Sequence, residues 1–223
     1  EKEMARSDAK FGPIFAKFAA MPIEEVAKDP QALKMGGRLF ASNCSVCHGS
    51  DAKGAYGFPN LTDSDWLWGG NPATIHESIK NGRIGVMAAW GPALGEERVK
   101  DAAHYVMSLS RDKGFDEGRA ERGQVVFNSL PANCASCHGE NGKGTLGMAP
   151  NLTDDVWLWG NSEKNIIDTI TNGHTNEMPA WNTFLDEDKL HLMTAYVWGM
   201  APKDQRVQAV TKAAAPAAAS AAQ

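Results

Sequence analysis

Two five-residue segments of this chain carry its most reactive side chains. They read Cys44-Ser45-Val46-Cys47-His48 and Cys134-Ala135-Ser136-Cys137-His138. Positions i, i+3 and i+4 of a helical turn share one face, so both thiols and the histidine of each segment are neighbours there. Two such thiols can form thioethers to the vinyl groups of a haem, and the histidine can then bind the iron. Each segment therefore predicts the covalent attachment of one haem c.

Two other uses of paired cysteines have to be weighed against haem. A thioredoxin-type redox pair sits in a strand-helix-strand setting, whereas these flanks are Gly-rich loops and short helical patterns. A zinc site would combine both pairs, and such pairs are usually separated by roughly 12 to 20 residues. Here Cys134 lies 87 positions after Cys47. The spacing and the trailing histidines favour haem.

The motif lies inside a long internal repeat. The second copy follows the first at an offset of 90 residues, and after one inserted residue the offset becomes 91. A period of this length fits one small domain rather than a solenoid unit. The matching residues at offset 91 include the segments 60–63 and 151–154, the segments 66–69 and 157–160, and the pairs Met87 and Met178, Trp90 and Trp181, Tyr105 and Tyr196.

We therefore expect an all-α protein with two tandem class I cytochrome c domains, each wrapped around one covalently bound haem c. A copy of about 80 residues is small for a self-sufficient core, and an apolar macrocycle would complete it. The predicted organisation is a connector over residues 1–31, domain 1 over 32–111, a linker over 112–117, domain 2 over 118–200 and an extension over 201–223. The extension ends in an Ala/Pro-rich tail that we expect to be disordered.

Three helices are expected in each copy. A Gly-x-x-x-Phe pattern precedes each haem motif, in residues 36–43 and 123–128, and puts a small residue beside an aromatic one, as a close helix crossing requires. The candidate partner is the last helix of each copy, 96–110 and 186–200. A short middle helix, 71–80 and 162–171, ends at Asn-Gly, which is a C-cap signal, so that we expect loop beyond it.

That loop is predicted to supply the sixth iron ligand. Met87 and Met178 follow Gly82 and Gly173 by five residues in both copies, and a Met thioether opposite histidine suits electron transfer. We expect His48 with Met87 and His138 with Met178. Two alternatives stay open for the second haem, His174 and Met148. The remaining histidines have no counterparts in the other copy and are expected to be surface or packing residues: His76, His104 and His191.

The segments 35–49, 54–63 and 66–70 resemble the dihaem subunit III of cbb3-type cytochrome c oxidases. Residues 21–26 are similar to the part of that subunit that connects an N-terminal membrane anchor to the first haem domain. The resemblance covers most of residues 10–200. Two departures stand out. The anchor is missing, which suggests a truncated chain, and Ala88 occupies the place of the proline in the Met-Pro of the ligand loop, present here as Met178-Pro179.

The resemblance implies an electron-transfer subunit that is not an enzyme by itself. Soluble donor cytochromes c would reduce its two haems, which would pass electrons to membrane-embedded oxidase subunits, including a monohaem cytochrome c subunit. The expected location is the periplasmic side of the bacterial inner membrane, with membrane contact only through the missing anchor. The alternatives are a free dihaem shuttle cytochrome and a dihaem peroxidase-like enzyme, which needs an open iron site.

Charge and hydropathy add limits. The net charge is −5, and we expect no nucleic-acid partner. Residues 32–111 carry 8 basic and 7 acidic residues, and residues 118–200 carry 5 and 10. The acidic copy predicts either a solvated surface or a docking face for a basic donor. No apolar run reaches 18 residues, and residues 1–20 lack the apolar stretch of a signal peptide.

Overall fold

The computed structural model describes residues 2–110 and 114–202. The predicted linker is therefore described only in part, and the predicted extension lies outside the described residues except for 201 and 202, so that its whole Ala/Pro-rich tail does. The helices follow the expected order along the chain. They are α1 (Lys2–Ala19), α2 (Ile23–Val26), α3 (Pro30–Asn43), α4 (Ser45–His48), α5 (Pro72–Asn81), α6 (Gly91–Leu94), α7 (Glu96–Leu109), α8 (Glu117–Phe127), α9 (Ala135–His138), α10 (Glu163–Asn172) and α11 (Glu187–Met200), with two strands, β1 (Arg83–Met87) and β2 (His174–Met178).

The two strands correct the expectation of an all-α fold with ligand loops. The Asn-Gly signals do end α5 and α10, since Gly82 and Gly173 adopt φ of 72° and 66° as C-caps. Beyond these glycines the chain forms an antiparallel ribbon in which Arg83 pairs with Met178 and Met87 with His174. Half-buried and exposed side chains alternate along both strands, because successive side chains of a strand point to opposite faces. The protein is mostly helical with one two-stranded ribbon.

The helices and strands form two compact units that do not coincide with the two repeats. Among the described residues, unit 1 contains those up to Gly54, Asn60–Gly82 and those from Pro179 onwards. Unit 2 contains Ala55–Pro59 and Arg83–Met178. Each unit thus combines the haem motif and middle helix of one repeat with the last helix of the other. The domain limits read from the sequence describe the repeat and not these packing units.

In unit 1, helix α3 packs against α11. A Cβ atom added to Gly36 would lie 2.6 Å from Cβ of Tyr196, and the rings of Phe40 and Tyr196 have centroids 5.7 Å apart. Only glycine permits this approach. Helices α1, α2 and α5 also pack against α11, and Phe18 of α1 and Leu192 of α11 are almost fully buried.

In unit 2, helix α8 packs against α7 in the same manner. A Cβ atom added to Gly123 would overlap the carbonyl oxygen of Asp101, and the rings of Tyr105 and Phe127 meet edge to face at 5.1 Å. The Gly-x-x-x-Phe pattern therefore marks the close helix crossing that it predicts. The partner in both units, however, is the last helix of the other repeat, which corrects the expectation of pairing within one copy. We call this arrangement the helix exchange.

Within the described residues, no helix has both the length and the apolar character that crossing a membrane requires.

Candidate haem sites

Each Cys-x-x-Cys-His motif forms a single helical turn, as its spacing predicts. The His48 N–H donates to the Cys44 carbonyl oxygen at 3.0 Å, and the His138 N–H donates to that of Cys134 at 2.9 Å. These i to i+4 bonds bring the two thiols and the imidazole of each motif to one side of the turn. The glycine that follows each histidine has φ near +79° and lets the chain turn back.

The loop after each motif folds back over it in the same way. The N–H of Gly54 donates to the His48 carbonyl oxygen, and that of Gly144 donates to the His138 carbonyl oxygen, both at 2.8 Å. The two copies therefore fix the backbone of the histidine by identical contacts.

His138 is prepared to bind a metal through one ring nitrogen. Its side chain is buried, with 8% of its surface exposed. Its Nδ1 lies 3.0 Å from the Pro150 carbonyl oxygen. Because a carbonyl can only accept, Nδ1 carries the proton and Nε2 keeps its lone pair. Burial also lowers the pKa of His138, which favours the neutral ring. His48 is equally buried, at 9%.

The cysteines fit thioether attachment. All four are free thiols, so neither pair is a disulfide. Burial raises the pKa of Cys44 to about 11 and raises that of Cys134 as well, because a thiolate is disfavoured away from water. Among the described residues, no three His, Cys, Asp or Glu side chains form a metal-binding group. Thiols, buried imidazole and an oriented Nδ1 fit haem c.

Met87 lies in unit 2 together with the second haem motif. Met87, Trp90 and Cys134 pack against the same apolar core. The Trp90 N–H donates to the Ile170 carbonyl oxygen of α10 at 2.9 Å, which fixes the chain just after Met87. The sequence pairs Met87 with His48 as an expectation. In the structure, Met87 belongs to unit 2, as do His138 and Met178. The reason is the helix exchange, because β1 leads directly into α6 and α7.

Met178 stands at the end of β2, where the chain leaves unit 2 and enters unit 1 at Pro179. In unit 1, the Trp181 N–H donates to the Ile79 carbonyl oxygen of α5 at 3.1 Å. This bond is the counterpart of the one between Trp90 and Ile170. The segments after Met87 and Met178 are thus held alike, each on the middle helix of the other repeat.

The two alternative ligands of the second haem have other surroundings. The ring of His174 stacks on Trp159 with centroids 3.9 Å apart, and its Nε2 lies 3.0 Å from Oγ1 of Thr169. Burial lowers the pKa of His174. Met148 is 57% exposed, in a turn closed by the bridge between Thr145 and Ala149. The stacking and the hydrogen bond hold the His174 ring against Trp159 and Thr169.

The other histidines connect elements, as expected of surface and packing residues. Nδ1 of His104 accepts the backbone N–H of Asp116 at 3.0 Å. His191 Nε2 lies 2.9 Å from the Met21 carbonyl oxygen. His76 forms a 3.0 Å ion pair with Glu187 when it is protonated.

Comparison with known proteins decides the family. The family model described as "Cytochrome C oxidase, cbb3-type, subunit III" matches residues 31–106 and again residues 118–197. The chain belongs to the subunit III family of cbb3-type cytochrome c oxidases. The two matches also establish two tandem repeats of the cytochrome c type.

Curated members of the subunit III family include close relatives. The chain is 46% identical over 200 residues to the cbb3-type cytochrome c oxidase subunit CcoP of Rubrivivax gelatinosus, with 89% of this chain and 64% of the relative covered. It is 42% identical over 195 residues to subunit FixP of Azorhizobium caulinodans, with 82% and 66% covered. The chain thus spans about two thirds of the length of these relatives.

One contributor to the haem site escaped the sequence analysis. The Pro150 carbonyl oxygen orients His138, although no side-chain pattern marks a backbone acceptor. A signal does exist, because Pro150-Asn151-Leu152 repeats Pro59-Asn60-Leu61 at offset 91. In this chain, the second copy of the tripeptide marks the backbone contact of His138.

Proposed function

We propose that this chain is the dihaem electron-transfer subunit of a cbb3-type oxidase and carries two haems c. Cys44 and Cys47 bind the first haem, and Cys134 and Cys137 bind the second. The observation that carries the proposal is the repeated one-turn motif with a buried histidine in each copy. In the second copy, the Pro150 carbonyl oxygen also holds Nδ1 of His138.

Each iron would be held by one histidine and one methionine. The proposed histidines are His48 and His138, and the proposed methionines are Met87 and Met178. Each haem supplies a one-electron iron couple. The chain's own residues set its properties: the thioethers hold the macrocycle, the Pro150 carbonyl keeps His138 as a neutral ligand, and a Met thioether raises the reduction potential. A closed sixth position suits electron relay rather than chemistry on a substrate.

Met87 is proposed to bind the iron held by His138. Support comes from the shared core of Met87 and Cys134 and from the bond that fixes Trp90 on α10. Met178 is the last residue of unit 2, and Pro179 directly after it begins the segment that belongs to the unit of His48. We therefore propose that Met178 would bind the other iron.

Relatives named as subunits of cbb3 oxidases imply other oxidase subunits as partners. We propose that donor cytochromes c reduce this chain at the periplasmic side of the bacterial inner membrane. From here, electrons pass through a monohaem subunit to the oxygen-reducing subunit, so that oxidase activity belongs to the complex. The sequence segments of unit 2 carry 9 basic and 13 acidic residues, and those of unit 1 carry 13 and 14. The excess of acidic residues in unit 2 favours the docking of a basic donor there.

Intact mass spectrometry tests the cofactors, with two haem masses expected above the polypeptide and no haem released by acidified acetone. Extractable haem would contradict covalent attachment. The optical spectrum of the oxidised protein tests the function. We expect the far-red band of methionine-to-iron coordination, whereas a high-spin band with binding of peroxide would indicate a peroxidase-like enzyme.

A further inference from the structure

Helix α7 presents polar side chains to α8 in unit 2. The Asp101 carboxylate, 9% exposed, accepts bonds at 2.9 Å from both Nε and a terminal nitrogen of Arg122, and at 3.1 Å from Arg119. Arg119 also reaches Glu97 at 3.0 Å. One helical turn further on, His104 accepts the backbone N–H of Asp116, the N-cap residue of α8. We call Asp101, Arg119 and Arg122 the carboxylate clamp.

The equivalent positions in unit 1 are apolar. At the offset of 87 that aligns Gly36 with Gly123, Ala32 and Met35 of α3 stand where α8 has Arg119 and Arg122. At the offset of 91, Leu192 of α11 stands where α7 has Asp101. Leu192 and Ala32 are each 1% exposed. The α3 contact with α11 therefore uses close apolar packing where the α7 contact with α8 uses the carboxylate clamp.

This difference discriminates between partner helices. If α7 packed on α3, the Asp101 carboxylate would face Ala32 and Met35 and lose both guanidinium groups. If α11 packed on α8, Leu192 would face the two arginines. A buried charge without its partner is strongly unfavourable, whereas replacing a whole buried pair by apolar side chains is often neutral. The glycine and aromatic contacts are the same in both helix crossings and cannot distinguish the partners. The clamp thus acts mainly against the wrong pairing.

We propose that the carboxylate clamp selects α8 over α3 as the partner of α7 and so positions Met87 in the unit of His138. Asp101, Arg119 and Arg122 are positioning residues that act through α7, the helix that follows β1 and α6 along the chain. This inference rests on the proposed function, in which Met87 and Met178 are the sixth ligands.

The test removes the preference while keeping an apolar contact. The triple variant D101L/R119A/R122M gives the α7–α8 contact the residues found at the equivalent positions of α11 and α3. NMR of the reduced protein with labelled methionine methyl groups counts the environments of axial methionines. The native chain should give one signal for each of two ligands. The variant should give a second set of axial methionine signals with about 10% or more of the total intensity, or domain-swapped dimers that light scattering detects. A single native set in monomeric variant would overturn the proposal.

A reciprocal variant keeps the proposal testable if the first triple variant does not fold. A32R/M35R/L192D places a clamp on both contacts, which also removes the preference and should give the second set. If it gives one set, the clamp does not select the partner. As a control, Lys164→Ala removes an exposed pair with Asp168 on α10 and should leave the native pair of signals. If the native protein itself shows no axial methionine signals, the proposed ligation fails and not the selection by the clamp.

Discussion

Gly123→Ala should separate α8 from α7 and destabilise unit 2. The added Cβ would overlap the Asp101 carbonyl oxygen and lie 2.6 Å from its carbonyl carbon and 2.8 Å from Cβ of Tyr105. The first two atoms belong to the backbone, so no change of rotamer can relieve the overlap. The helices must move apart.

The cost follows from these contacts. Overpacking a close contact costs about 1–3 kcal/mol, and backbone overlap places this variant near 3 kcal/mol. Gly118→Ala is the matched control in the same helix, because its Cβ would have no neighbour nearer than 3.4 Å. There, the replacement should stabilise by about 0.5–1 kcal/mol. For a protein of this size, the G123A loss corresponds to a decrease in Tm of roughly 6–12 °C.

Thermal unfolding followed by circular dichroism of the haem-loaded variants measures this difference. The far-red band, recorded below the transition, should weaken in G123A and remain in G118A, since α7 follows Met87. Equal melting temperatures for the two variants would refute the close crossing of α7 and α8.

Three further outcomes are expected. Gly173→Ala should weaken the methionine-to-iron band of the oxidised protein, because Gly173 has φ +66° and an added Cβ would overlap the Met87 carbonyl oxygen. Gly85→Ala is the control, since its added Cβ would meet nothing within 4 Å. Equal spectra of the two variants would contradict this prediction. Glu140→Gln with Asp155→Asn should slow reduction by a basic donor at low salt more than at high salt in stopped-flow traces, and salt-independent rates would exclude steering. The hydrogen bond from Lys80 lowers the pKa of Glu187 in the folded protein. The stability that this pair contributes should therefore be present above the pKa of Glu187 in the unfolded chain and be lost as the pH falls through its pKa in the folded protein. Glu187→Gln should reduce this dependence of the unfolding free energy on acid pH, measured by denaturant titration.

The local haem chemistry could be predicted from the sequence because it depends on short-range spacing. Cys44, Cys47 and His48 share one turn through their i, i+3 and i+4 positions alone. The Asn-Gly helix ends and the Gly-x-x-x-Phe crossings were likewise local signals that the structure confirms. The acidic second copy predicted either a solvated surface or a docking face. In its segment 186–188, Glu187 pairs with Lys80 and Asp186 with Lys189.

The partner helices could not be predicted in this way. The two repeats share the glycine and aromatic residues of the crossing, so pattern matching cannot tell exchange from pairing within a copy. The distinguishing residues, Asp101 with Arg119 and Arg122, looked like ordinary surface charges until their contacts were known. The ribbon was missed because an Asn-Gly C-cap ends a helix without specifying whether loop or strand follows.

A chain that carries only the second haem separates the two methionines as ligands of its iron. The background variant C44A/C47A removes attachment of the first haem, so any methionine-to-iron band in the oxidised protein then reports on the iron of His138. We expect Met87→Leu in this background to abolish the band and to lower the reduction potential of the haem, while Met178→Leu leaves both unchanged. Loss of the band in the Met178 variant, with retention in the Met87 variant, would show instead that Met178 binds the iron of His138.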